Sequence, residues 1–316
     1  MNREVPVAVV VLALGVAAAA VPALLVSAVL WFRRRPTDVG EPTLAARRHE
    51  VLVSTAALLA AAVCAGALLA QPVTWQPGTP APGLLQALTP CAVAATFAAV
   101  RGVGELTWPR PRGEVRSAPL RRRTARTLGG ARLRLMVMTA GCLAATLVGF
   151  GLTADPTGRA FPTGPVALAD GGTLSGATGP YPGWPYGGPL LVAVLITLGV
   201  TGLALATIVR RPPLHGVPGH HDDAVRATST ARLLGAVQLC LGVTLGGVLA
   251  VGGMALRNAG SSLLLNGASP HGLVAVGTAL ALAGGAILLA SVVAGLVTVA
   301  PRQAPDPATP ADAAVA

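Results

Sequence analysis

An all-α, polytopic membrane bundle of seven transmembrane helices is the fold class predicted for this chain of 316 residues. Three observations predict it. Hydrophobic residues make up 53% of the chain and charged residues 11%, at a mean hydropathy of +0.67. A soluble domain carries roughly 25% charged residues, so most of this surface must face something other than water. Seven apolar runs, none with a charged residue, lie at about 5–31, 51–70, 84–100, 135–153, 189–209, 233–255 and 272–299. The arginines gather in alternate connections between these runs.

The elements follow in order. A helix needs about 20 apolar residues to cross about 30 Å of hydrocarbon. Run one is preceded only by Arg3 and Glu4 and followed by Arg33, Arg34 and Arg35. It exceeds the roughly 7–15 residues of a signal-peptide core, so it reads as a retained anchor with a stop-transfer flank. Run two is bounded by Arg47 and Arg48. Run three, "LLQALTPCAVAATFAAV", holds Gln86 and Pro90 and is the shortest. It is assigned as a span, kinked at Pro90, because without it the charge alternation downstream fails. Runs four to seven meet the length requirement.

Positive charge near helix ends stays in the cytoplasm. The connection between runs one and two carries Arg33, Arg34, Arg35, Arg47 and Arg48. The connection between three and four carries Arg101, Arg110, Arg112, Arg116, Arg121, Arg122, Arg123, Arg126, Arg132 and Arg134. Arg210, Arg211, Arg226 and Arg232 lie between five and six, and Arg302 follows seven. Only Arg3, Arg159 and Arg257 lie in the other segments. The N-terminus is therefore expected outside and the C-terminus in the cytoplasm of a bacterial-type plasma membrane. Single-cysteine labelling checks this: positions Thr43 and Ser117 are expected inside, Thr79 and Ser175 outside. Reaction at position 117 with an impermeant reagent in intact cells reverses the topology.

The stretch "WPRPRGEVRSAPLRRRTAR", 108–126, is thus the core of the largest cytoplasmic loop. Its Arg121, Arg122, Arg123 and Arg126 are the candidate contacts to anionic lipid headgroups, at about 1 kcal/mol per residue near the surface. The part leading into run four suits an interfacial helix, with Gly129 and Gly130 favouring a break. The net charge of +11 raises nucleic acid as a partner, but no recognition motif or aromatic interleaving accompanies it. All 23 basic residues are arginine. Codon bias in a GC-rich genome explains that choice, although guanidinium forks also suit phosphate. The lack of lysine excludes a retinal Schiff base.

Trp31, Phe32, Trp75, Trp108, Phe150, Tyr181, Trp184 and Tyr186 lie at run ends, as expected of interfacial belts. Segment 154–188, with nine glycines and six prolines, is expected to be a loop of turns that settles Tyr181, Trp184 and Tyr186 on the outer interface. One domain, 1–299, is expected, followed by a disordered cytoplasmic tail at 300–316.

Absences bound the chemistry. No ionisable Asp, Glu, His or Arg lies inside a run, which argues against a proton-coupled carrier, a voltage sensor, an aspartyl intramembrane protease and a bis-histidine haem protein. No phosphate-binding loop, nucleophile elbow or zincin motif occurs, and no inverted repeat points to a transporter. Catalytic, cofactor-binding and metal residues are expected to be none. His215, His220, His221, Asp222 and Asp223 offer metal-ligand chemistry. Their adjacency spreads the side chains apart, and Asp222 or Asp223 is better read as a helix N-cap. Cys64 with Cys91, and Cys142 with Cys240, match in depth, but reduced apolar packing is the favoured account for all four. Gly242 and Gly246 form a G-x-x-x-G, echoed by Ala281 and Gly285. Both suit close helix packing within the chain.

The segments "GELTWPRPRGEVRSAPLRRR" and "YPGWPYGGPLL" resemble uncharacterised multi-pass integral membrane proteins of GC-rich bacteria. The resemblance implies the span pattern and brings no activity, cofactor or site residue. The functional expectation is a non-enzymatic scaffold or accessory component, its arginine-rich loops touching anionic lipid or a protein partner. The alternatives are a small-solute transporter or permease subunit, which a polar mid-membrane cavity would favour, and a membrane thiol redox protein, which a close cysteine pair near one surface would favour.

Overall fold

A computed structural model describes residues 41–73, 81–108, 124–167, 172–212, 219–265 and 271–299. Run one and the tail at 300–316 lie outside the described residues, as do Trp31, Phe32 and Trp75. Within the described residues the chain forms α1 (Glu41–Leu69), α2 (Leu84–Leu106), α3 (Ala125–Thr153), β1 (Phe161–Ala167), β2 (Thr173–Thr178), α4 (Trp184–Arg210), α5 (Gly219–Leu265) and α6 (His271–Val299). All six helices are long and apolar enough to cross a membrane. They correspond to runs two to seven.

Side-chain pairings show the helices alternating in direction. Glu50 near the start of α1 meets Arg101 near the end of α2. Tyr186 at the start of α4 donates to the Pro82 carbonyl, just before α2, at 2.9 Å. One end of the bundle thus gathers the arginines and the other carries the β1–β2 hairpin.

The interior is mainly apolar, with Thr89, Thr197, Thr201 and Thr244 buried among the apolar side chains. Leu143 and Leu147 of α3, Leu190 of α4, and Leu233, Leu234, Val237 and Leu241 of α5 are buried. The outward faces are apolar as well: Leu52, Val63, Leu152, Leu195, Leu203 and Leu282 are each at least 68% exposed. Exposed apolar surface on that scale suits hydrocarbon and not water.

Several expectations need correcting. Run three is longer than the 84–100 read from hydropathy, since α2 continues through Arg101 and Glu105 to Leu106 as 23 residues. At 1.5 Å per residue that is about 35 Å, enough to cross about 30 Å of hydrocarbon. Run six lies inside α5, a helix of 47 residues. Its length of about 70 Å carries it well past both edges of a hydrocarbon core. Because α5 begins at Gly219, Asp222 stands in the first turn and is not the N-cap. In α3 the expected break is present: Thr124 and Thr127 form a capping box, and Gly130 takes φ 47° and ψ −126°, outside the helical range.

The 154–188 segment holds an antiparallel hairpin pairing Phe161 with Thr178 and Ala167 with Thr173. It is not only turns. Asp155 ties it to α3: Oδ1 accepts the amides of Arg159 and Ala160 at 3.0 and 3.1 Å, and Oδ2 accepts the Thr157 hydroxyl at 2.7 Å. Desolvation raises the Asp155 pKa, but the Thr157 hydroxyl and these amides outweigh it and hold the carboxyl below its ordinary value. Tyr181 does not lie at the interface. It is 1% exposed, packs on Phe150 and Phe161, and its hydroxyl is 2.7 Å from Thr153 Oγ1. Burial pushes its phenol pKa up, against that hydrogen bond. Trp108 and Phe150 are likewise interior, at 4% and 7% exposed; Trp184 remains open, at 44%.

The helix α6 packs along α5 through a seam of small residues. A methyl group added at Gly246 would lie 2.7 Å from the Gly284 carbonyl oxygen, and one at Gly284 would lie 2.6 Å from that of Gly246. Gly253 sits equally close to Gly277 and Ala281, and Gly242 abuts Ser291. The G-x-x-x-G pair therefore serves internal packing. Its partner on α6 is Gly284, since Gly285 faces open space.

Candidate functional site

The charged end of the bundle holds a buried ion-pair network that hydropathy did not indicate. Its frame is "RGVGE", residues 101–105 of α2. A side chain on Gly102 would press on Ala204 of α4 at 3.2 Å, and one on Gly104 would collide with Val53 of α1. These two glycines let α1 and α4 close on opposite sides of α2. Arg101 and Glu105, one turn apart, then point into the resulting space.

Arg101 is 1% exposed. Its Nη2 donates to Glu50 Oε1 at 2.9 Å, and its Nη1 to Ser54 Oγ at 2.8 Å. Nη2 also lies 3.8 Å from Glu105 Oε1. Glu50 is shared with α5: Arg232 Nη1 reaches Oε1 at 3.2 Å, and Ser229 Oγ donates to Oε2 at 3.2 Å. Arg211, immediately after α4, donates from Nη1 to Glu105 Oε2 at 3.3 Å. Its guanidinium carbon stands 3.9 Å from the centre of the Trp108 ring. His49 packs edge-on to Trp108, and its Nε2 lies 2.9 Å from the Gly104 carbonyl oxygen. Burial pushes the Arg211 pKa below its ordinary value; Glu105 opposes this and Arg226 adds to it.

Arg226 closes the end of α4. Its Nε donates to Asp222 Oδ2 at 2.9 Å. Its Nη1 donates to the carbonyls of Ile208 and Val209, and its Nη2 to that of Arg211 at 2.7 Å. The last carbonyls of a helix lack intrahelical donors and carry partial negative charge. A buried guanidinium from a neighbouring helix satisfies both needs. Four helices are thus tied at one end by charges whose burial is tolerable only because they are paired.

Of the residues assigned to lipid contact, Arg121, Arg122 and Arg123 lie outside the described residues. Arg126 falls in the first turn of α3, but its side chain is also outside them. The network was not found in the sequence because its members stand at run edges or in connections. Two signals pointed to it: Arg101–Glu105 and Asp222–Arg226 are opposite charges at the i,i+4 spacing that makes helical neighbours.

Elsewhere the polar groups are largely self-satisfied. Thr197 of α4 donates to the Ala193 carbonyl at 2.8 Å and lies 3.1 Å from that of Cys91. The cysteines are all free. The depth-matched pairs are not the ones brought together. Cys91 Sγ lies 3.7 Å from Thr244 Oγ1, which itself donates to the Cys240 carbonyl at 2.9 Å. Cys142 is exposed, so packing within the chain does not account for it. His215 and the side chains of His220 and His221 lie outside the described residues. Among the described residues no group of three or more His, Cys, Asp or Glu is placed to hold a metal.

A cleft of about 580 Å³ opens at the hairpin end between α3, α5 and α6, lined by residues including Phe150, Leu249, Leu256, Val276 and Leu280. The hydroxyls of Thr146 and Thr153 in its wall bond to their own helix, and that of Tyr181 to Thr153. This lining suits hydrocarbon. No family model matches the chain, and no curated protein or solved structure matches it either.

Proposed function

We propose that the chain is a non-enzymatic scaffold or accessory component of a bacterial plasma membrane, with its arginine-rich end on the cytoplasmic side against anionic lipid. The observation that carries this reading is the division of polar groups. The described mid-bundle interior is mostly Leu, Val and Ala, its Thr197, Thr201 and Thr244 hydroxyls bond back to their own helices, and the buried Glu50, Glu105 and Asp222 carboxylates at one end are each engaged by an arginine. Arg121, Arg122 and Arg123 of the adjoining loop are then the charge available to a surface. The apolar lining of the described cleft speaks against a polar-solute path through it.

The test uses a peptide of the 108–126 loop and vesicles. Changing Arg121, Arg122 and Arg123 together to Gln is expected to weaken binding to anionic liposomes by up to about 3 kcal/mol, at about 1 kcal/mol each. Binding to neutral liposomes should be little affected. Equal binding of the wild-type and substituted peptides to anionic liposomes removes the lipid-contact reading.

A further inference from the structure

Among the described residues, three buried N–H groups on Arg211 and Trp108 at the charged end stand without an acceptor. Arg211 Nη1 is engaged by Glu105, but among the described residues Nε and Nη2 have no hydrogen-bond partner, and neither does Trp108 Nε1 of the ring on which the guanidinium stacks. The Arg211 side chain is 0% exposed and Trp108 is 4% exposed. Nε and Nη2 share one edge of the guanidinium plane, the fork that takes two oxygens of one phosphate or carboxylate. A buried N–H without an acceptor costs about 1–3 kcal/mol, so three such groups at one place call for an incoming acceptor. Charge agrees: among the described ion pairs at this end, Arg101, Arg211, Arg226 and Arg232 face Glu50, Glu105 and Asp222.

We infer that the Arg211 Nε–Nη2 edge and Trp108 Nε1 form a phosphate-binding cradle at the arginine-bearing end of the bundle. The phosphate comes from an anionic phospholipid headgroup or from the free ion. This deepens the proposed lipid contact and rests on it for the choice of phosphate over a carboxylate. The donors are closed to solvent, so the anion enters as the ends of α2 and α4 part locally. Once seated, it meets a desolvated fork, which holds an anion more strongly than a hydrated arginine does.

The test uses the full chain in neutral phosphatidylcholine nanodiscs doped with phosphatidylglycerol, with retained lipid read by native mass spectrometry. The wild type is expected to keep one phosphatidylglycerol. Arg211→Lys retains the charge and loses the fork; Trp108→Phe retains the ring face and loses the N–H. Each is expected to lower retention about tenfold. A thermal melt reports folding, and if Arg211→Lys does not fold, Trp108→Phe decides alone. Displacement of the lipid by excess inorganic phosphate assigns the site to phosphate from either source; its failure assigns the site to the lipid phosphodiester. The Arg121, Arg122 and Arg123 triple Gln variant of the full chain should keep the retained lipid, which separates this cradle from the loop surface. Unchanged retention in the two cradle variants overturns the inference even if the loop peptide behaves as proposed. So does loss of retention in the triple loop variant, or preference of the wild type for an acidic peptide over phosphate.

Discussion

Glu50→Ala is expected to destabilise the bundle by about 3–5 kcal/mol, the cost of leaving a buried charge without its partner. The carboxylate serves Arg101, Ser229 and Arg232 at once, from α2 and α5. Its loss leaves Arg101, 1% exposed, with only the Ser54 hydroxyl and a 3.8 Å approach to Glu105. Unfolding in detergent, followed by thermal melting, measures the effect. The companion variant Glu50→Leu with Arg101→Leu should recover most of the loss, because replacing a whole buried pair by apolar groups is often neutral. Melting of Glu50→Ala at the wild-type temperature shows that the network does not hold α1.

Gly246→Leu is the second large effect. The backbones of α5 and α6 approach so closely at this level that even a methyl group would meet the Gly284 carbonyl oxygen at 2.7 Å and the Leu288 amide nitrogen at 3.0 Å. Overpacking of a well-packed site costs about 1–3 kcal/mol. Here the upper end is expected, because the obstruction is backbone and cannot rotate away. Thermal melting in detergent reads the effect, and Gly246→Leu should melt well below the wild type. Gly285→Leu is the matched control, because Gly285 faces open space; it should melt as the wild type does. Equal melting of all three proteins means that the helices do not approach along this line.

Legibility in the sequence followed the range of the interaction. Runs two to seven were readable because crossing hydrocarbon depends on one contiguous stretch. The end of α2 was misplaced because Arg101 looks like a terminus when only hydropathy is considered. Tyr181 and Trp108 were assigned to the interface for the same reason: a run-end aromatic reads as a belt residue unless its neighbours are known. The G-x-x-x-G of α5 was correctly given to internal packing, but its partner Gly284 was not named, since face cannot be settled on a helix that is apolar all round.

What the sequence by itself determined is the membrane class, the positions of six apolar helices and the clustering of arginine between alternate pairs of them. Each depends on residues within one segment, through the length of an apolar run or the charge beside it. What only the tertiary structure decided is which charges leave water. Glu50 meets Arg101 across 51 positions of sequence and Arg232 across 182. A buried ion is stable only when its counter-ion arrives. Until α1, α2, α4 and α5 are brought together, nothing distinguishes these residues from solvated loop charges.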